Sequence, residues 1–314
     1  MINCNDVQTE VITEGRWVEE RPPLDGNKHI VLTIPGNPGI PEFYKDFIKA
    51  VHSKLPPEIP VWLVGHAGHV QPSKNLEIAM PSNSTWDQHY GLTAQLEHKK
   101  EFIRKYVPED AKLHIIGHSI GSWFALNLLS DESISKRVVK CYMLFPTIEH
   151  MAQSRNGVFF TSFVQRIAPL LVFLSWIFCM FPLFLQVFLI RVFGIFYGIP
   201  AKHVKSVRTL LNPSALRRVI KLAKEEMIRV REPNDDLLSQ HQDKLWFYYG
   251  ATDGWTPVRY YKNMKTKYPN MDVQLCQRGI CHSFVLKHDK QMGDIVGTII
   301  NESIRNCKYT KVYS

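Results

Sequence analysis

The residues Gly117-His118-Ser119-Ile120-Gly121 fit the pattern G-x-S-x-G. A serine hydroxyl is a weak nucleophile until a base takes its proton. This pattern directly follows the apolar run "KLHII" and directly precedes a helical pattern. That strand–turn–helix setting is what a nucleophile elbow requires. Ser119 Oγ is then expected at the carboxyl edge of a sheet. Gly117 and Gly121 let neighbouring backbone pack close, and the amide of Ile120, at the helix start, points at a developing oxyanion.

A base and an acid that orients it complete such a site, and both follow the serine, each just beyond a late strand. Asp253 holds the acid's place after "LWFYYGAT", and His282 holds the base's place after "VQLCQRGIC". In this reading His282 takes the Ser119 proton and later gives it to the leaving alkoxide. Asp253 fixes the imidazole tautomer. Asp243 and Asp235 are weaker acid candidates, because they precede the strand or lie in a loop, and His288 lies further toward a helix entry. The second oxyanion donor is expected from the loop "PGNPG" (Pro35–Gly39). Pro38 has no N–H, so the backbone amide of Asn37 is assigned, with Gly36 giving room. His66 and His69 of "GHAGH" read as structural, and His118 as packing beside the serine. The reaction needs neither metal nor cofactor. The six cysteines, Cys4, Cys141, Cys179, Cys276, Cys281 and Cys307, show no metal-binding spacing.

These side chains need a scaffold. Short apolar runs at 29–39, 61–69, 112–121, 140–147, 244–253 and 272–277 each end in Gly, Pro or polar turns. Helical spacing recurs between them, at 97–106, 122–129 and 290–304. Continuous apolar strands alternating with helices predict an α/β fold with a mostly parallel sheet covered on both faces. From about 149 to 243 no strand pattern occurs. The expected organisation is therefore a core in two parts, 1–148 and 244–314, with an inserted cap over 149–243.

The chain has 314 residues, 45% apolar and 21% charged, and a formal charge of +9. That length is ample for a large core. No long Lys/Arg run or nucleic-acid motif accompanies the charge, which argues against nucleic acid and for an anionic lipid surface. The N-terminal stretch does not read as a secretory signal, nor the C-terminal one as a prenylation or ER-retrieval signal. Free thiols are expected, as in a reducing cytosol.

Taken together, "IPGNPGIPEFY", "GHAGH", "LTAQLEHK", "IIGHSIGS", "LFPTIEHMAQSRNG", "FYYGATDGWTP" and "CHSF" resemble the lipid droplet-associated hydrolase family, an α/β-hydrolase group. The resemblance runs from about residue 30 to residue 290. It implies a serine hydrolase located at stored neutral lipid, with sterol esters a proposed substrate. It also implies a mid-chain apolar region that targets the droplet and the endoplasmic reticulum membrane. The family's serine, acid and histidine fall on Ser119, Asp253 and His282. A rival reading is a droplet-surface protein that influences lipid storage by binding. A second is a soluble thioesterase or small-ester hydrolase.

The 24 residues Ile167–Ile190 carry no charged side chain. As one helix they would span about 36 Å, enough for a hydrocarbon core of about 30 Å. A single crossing would separate Ser119 from Asp253 and His282, so the segment must return. It can dip in and out, lie in the interface, or pack as a buried cap. Pro182 predicts a break, giving arms of about 13–15 residues that reach roughly 20 Å. That length suits one phospholipid leaflet over neutral lipid, with Arg166 and Arg191 both staying cytosolic. The run Val192–Pro200 extends the apolar stretch to 167–200. The pattern of 214–231 predicts a helix with Arg217, Arg218, Lys221 and Lys224 beside its apolar stripe. It suits anionic headgroups or an ordinary solvated surface.

Overall fold

A computed structural model describes residues 1–20, 28–72 and 80–309, the last three by backbone alone. Strands β1 (Ile2–Cys4) and β2 (Val7–Thr9) form a small antiparallel pair. Seven strands make the main sheet: β3 (Val11–Glu14), β4 (His29–Ile34), β5 (Val61–Val64), β6 (Lys112–His118), β7 (Val138–Leu144), β8 (Leu245–Gly250) and β9 (Asp272–Cys276). Their order is β3-β5-β4-β6-β7-β8-β9, and every neighbouring pair is parallel except β3 with β5. The six apolar runs form β4 to β9. Strands β1 to β3 were not foreseen, because segments of three or four residues are too short for an alternation to register.

Every residue of β4, β5 and β8 is buried, as expected of parallel strands covered on both sides. Side chains alternate between the faces. Leu32 and Phe247 join one core cluster, with Phe102 of α2 (Leu92–Tyr106) and Phe124 of α3 (Ile120–Leu128). Their neighbours Val31 and Trp246 join the other, with Phe47 of α1 (Lys45–His52).

Between β7 and β8 the chain forms helices only. An unbroken helical run extends from Arg155 to Met180, with a π-helical stretch Phe160–Val164 leading into α4 (Gln165–Met180). At 26 residues it is long and apolar enough to cross a membrane, by length and composition. It starts well before Ile167, where polar residues such as Arg155, Asn156, Thr161, Ser162 and Gln165 interrupt the apolar run. The expected break falls at Phe181 and Pro182: Phe181 is extended, the backbone favoured before proline, although Pro169 is accommodated inside α4. Helix α5 (Leu183–Tyr197) follows and stops at Gly198, which has φ +64°. Helix α4 packs on α7 (Pro213–Arg229), whereas α5 packs on α6 (Val204–Leu210). The arms thus rest on other insertion helices.

Polarity in α4 and α5 is inside out. Their buried residues are Ser175, Gln186, Ile190 and Gly194. Phe184, Ile195 and Phe196 are 75%, 81% and 82% exposed.

Helix α7 keeps Arg217, Lys221 and Lys224 exposed and turns Arg218 inward. Asn212 caps it by accepting from the amides of Ser214 and Ala215. Of its basic side chains only Arg218 is taken up by the core: its guanidinium lies 4.0 Å from the Tyr90 ring centre and is buried, whereas Lys221 is exposed, with its ammonium 4.2 Å from the Trp86 ring centre. Amphipathicity alone does not tell which surface receives a stripe. Helix α8 (Val258–Lys267) and helix α9 (Asp289–Tyr309) complete the cover of the sheet, α9 packing on α1 through Gly293 and Gly297. Cys4, Cys141, Cys179, Cys276 and Cys281 are free thiols, and the Cys307 side chain lies outside the described part.

Candidate active site

Strand β6 ends at His118, and α3 begins at Ile120. Between them Ser119 adopts φ 53° and ψ −122°. A non-glycine residue there is strained by about 1–3 kcal/mol and persists only when its surroundings hold it. The Ser119 amide donates to Leu144 O at 2.9 Å, and its carbonyl accepts from Ser122 N at 2.9 Å. The two flanking glycines are sterically required. A Cβ on Gly117 would lie 2.6 Å from Gly121 O, and one on Gly121 would lie 2.7 Å from Pro35 O.

Ser119 Oγ and His282 Nε2 are 3.0 Å apart, and His282 Nδ1 is 2.6 Å from Asp253 Oδ2. The Asp253 carboxylate is fully buried. Its Oδ1 accepts from the amides of Trp255 at 2.7 Å and Thr256 at 3.2 Å, and its Oδ2 from Thr256 Oγ1 at 2.7 Å. Burial pushes this carboxyl up, but the His282 imidazole and these donors outweigh it and hold it at about 2. An ionised carboxylate only accepts. The imidazole proton therefore sits on Nδ1, and bare Nε2 faces the serine hydroxyl.

The amides of Ile120 and Asn37 donate to no protein partner among the described residues. Gly36, beside Asn37, is different: its amide donates to Tyr44 Oη at 2.8 Å. Tyr44 Oη lies 2.6 Å from His118 Nδ1, and His118 Nε2 lies 3.0 Å from His282 O. Burial, then the neighbouring His282, pushes His118 down to about 3, so it is neutral. A carbonyl can only accept, so Nε2 carries the proton and Nδ1 accepts from the Tyr44 hydroxyl. Burial drives the Tyr44 phenol well above its usual range and keeps it protonated. His118 thus does more than pack: with Tyr44 it ties the Gly36 loop to the His282 loop. Nothing in the local sequence around Tyr44 signals this link.

Other candidates sit elsewhere. Asp235 pairs with Lys267 and with Tyr268 Oη, and Asp243 is exposed. His288 lies 4.0 Å from Cys281 Sγ. His66 and His69 are buried, and His69 Nδ1 accepts from Gly39 N at 3.0 Å.

Ser119, His282 and Asn37 open onto a cavity of about 730 Å³. Its outer wall includes Phe178 of α4 and Leu189 and Phe193 of α5, and α7 contributes Val219, Ala223 and Glu226. Leu189 and Phe193 also belong to the exposed apolar surface.

The sequence profile of the lipid-droplet associated hydrolase family matches residues 27–285. A lipid droplet-associated hydrolase of Drosophila melanogaster is 40% identical to this chain, over 97% of it and 98% of the relative. The rat and human proteins of that name are 37% and 33% identical, each over 96% of this chain and 94% of the relative.

The chain belongs to the lipid droplet-associated hydrolase family.

Among solved structures, carboxylesterases of Nitrososphaera gargenis align with a TM-score of 0.64 at 14% identity, covering 96% of this chain and 97% of theirs. An esterase of Exiguobacterium antarcticum aligns with a TM-score of 0.62 at 13% identity, covering 95% and 98%. At that identity the likeness speaks to the fold, which is the α/β-hydrolase fold. The family thus carries its hydrolase core on a mostly parallel sheet, with a lipid-droplet association attached to the family as a whole.

Proposed function

We propose that this chain is a serine ester hydrolase acting on hydrophobic lipid esters, with cholesterol esters as one candidate class. The observation that carries the reading is the hydrogen-bonded series Ser119–His282–Asp253 at the floor of an apolar cavity. His282 Nε2 accepts the Ser119 proton as Oγ attacks the ester carbonyl. The ionised Asp253 stabilises the imidazolium. The amides of Ile120 and Asn37 receive the oxyanion. The imidazolium then protonates the leaving alcohol, and an acyl-enzyme remains on Ser119. Water, deprotonated by His282, releases the acid. No cofactor or metal enters these steps.

The division of labour we propose follows the chain. Residues 1–148 and 244–314 form the hydrolase core. Residues 149–243 form the cap, and 167–200 associate with the droplet monolayer and the endoplasmic reticulum membrane. Ser119 precedes the insertion and His282 follows it, so both flanks lie on one side, taken as the cytosol. The exposed Phe and Leu side chains of α4 and α5 support lipid contact. Those that also line the cavity support substrate entry from the lipid. A fluorophosphonate probe should label the wild type and leave Ser119→Ala unlabelled. Equal labelling of both would refute the assignment.

A further inference from the structure

Among the described residues, Glu226 is the one acidic side chain on the cavity wall. It belongs to α7 and is 1% exposed. The Asn37 side-chain amide has two N–H bonds, and both go to α7: Nδ2 donates to Glu226 Oε1 at 2.9 Å and to Val219 O at 3.0 Å. Residues 219 and 226 are seven apart, two turns along one helix face. Asn37 Oδ1 is buried and has no hydrogen-bond partner among the described residues. So Gly36 is fixed by Tyr44 of the core, whereas, among the described residues, the Asn37 side chain is held only from the insertion.

Helix α7 is seated without Glu226. Arg218 stacks on Tyr90, and Glu225 accepts from Trp86 Nε1 and, at 2.8 Å, from Leu92 N. Removing the Glu226 carboxyl therefore takes one of the two hydrogen bonds that hold the Asn37 amide, leaving that to Val219 O, and leaves the helix docked. The carboxyl also suits a place near a developing anion. Burial pushes it up to about 8, the Asn37 hydrogen bond lowers it, and neighbouring Glu225 raises it. Near neutral pH it accepts from Asn37 while bringing little negative charge.

We propose that Glu226 is a positioning residue: through the Asn37 side chain it sets the Asn37 backbone amide, so that seating of α7 and completion of the oxyanion site are one event. This rests on the esterase reading above and adds a mechanical link from the cap to the chemistry. Helix α7 packs against α4, so the link extends to the apolar helices.

The test uses the full chain in detergent with a soluble short-chain nitrophenyl ester, after wild type and Ser119→Ala have been compared. An inactive, unlabelled wild type would overturn the esterase reading itself. Given an active wild type, Glu226→Leu should lower kcat about tenfold or more, as expected when an oxyanion donor is loosened, with KM within about twofold. Glu226→Gln keeps an acceptor for Asn37 and should restore kcat to within about threefold. Asn37→Ala keeps its backbone amide but loses both bonds to α7 and should be at least as slow as Glu226→Leu, and the double variant should be no slower than Asn37→Ala. The inference is overturned if Glu226→Leu keeps the wild-type kcat, if Gln is as damaging as Leu, or if the two losses multiply. Should Glu226→Leu not fold, Asn37→Ala and Glu226→Gln decide alone: equal kcat for both refutes the link.

Discussion

The sheet edge around Ser119 and the surface of α4 and α5 carry opposite polarity patterns. At the sheet edge apolar side chains are inside and each polar group of the Ser119–His282–Asp253 series meets a partner. On α4 and α5 a serine and a glutamine are inside, and phenylalanine, leucine and isoleucine are outside. Burying apolar surface stabilises a fold in water, so an exposed face of this kind is stable only where something apolar covers it. The two regions share one cavity wall. In the proposed esterase reading, that contact lets a water-built catalytic centre meet a substrate that water excludes.

If the contrast holds, changes at the sheet edge should damage chemistry and spare lipid contact. The largest effect is expected from Asp253→Asn. The amide would favour the wrong His282 tautomer, and kcat should fall by about 10⁴ with flotation on lipid unchanged. A fall of only a few-fold would mean that Asp253 does not orient the base. Tyr44→Phe should act more gently. It leaves Gly36 N–H and His118 Nδ1 without their partner, which should cost about 1–3 kcal/mol, read as a lower unfolding midpoint. An unchanged midpoint would remove the Gly36–Tyr44–His118 link.

A further effect is read against pH. Glu226 has a folded value of about 8, above the unfolded value of about 4.3. A raised group contributes stability that is full below its unfolded value and lost as pH rises through its folded one. Glu226→Gln does not titrate. The wild-type midpoint should therefore fall behind that of Glu226→Gln from about pH 4.3 upward, with the gap levelling off above about pH 8. Parallel midpoints across that range would show that Glu226 is ionised in the fold.

Much of this contrast was legible in the residues. Strands β4 to β9 announced themselves because parallel strands buried on both faces need unbroken apolar runs. The chain order Ser119, Asp253, His282 followed from where such a sheet presents its loops, and the structure brings those three side chains into contact. The break at Pro182 followed from proline's missing N–H. What escaped notice depended on contacts between distant segments. Glu226 meets Asn37 across 189 residues, and no periodicity records that. Arg218 read as a surface charge, yet the Tyr90 ring takes it in. The helix start at Arg155 was hidden because polar residues precede the apolar run, and strands β1 to β3 were too short for any pattern.

The most direct test separates the two regions in one experiment. Ile195 and Phe196 are the most exposed large apolar residues of α5, and neither lines the cavity. The double variant Ile195→Asp, Phe196→Asp and the wild type are assayed for flotation with phospholipid-coated triacylglycerol droplets and for cleavage of a soluble short-chain ester. The account predicts that the variant's droplet partition falls by about a hundredfold or more, while it cleaves the soluble ester at close to the wild-type rate. A variant that still floats, or one that loses droplet binding and soluble-ester cleavage together, would contradict it.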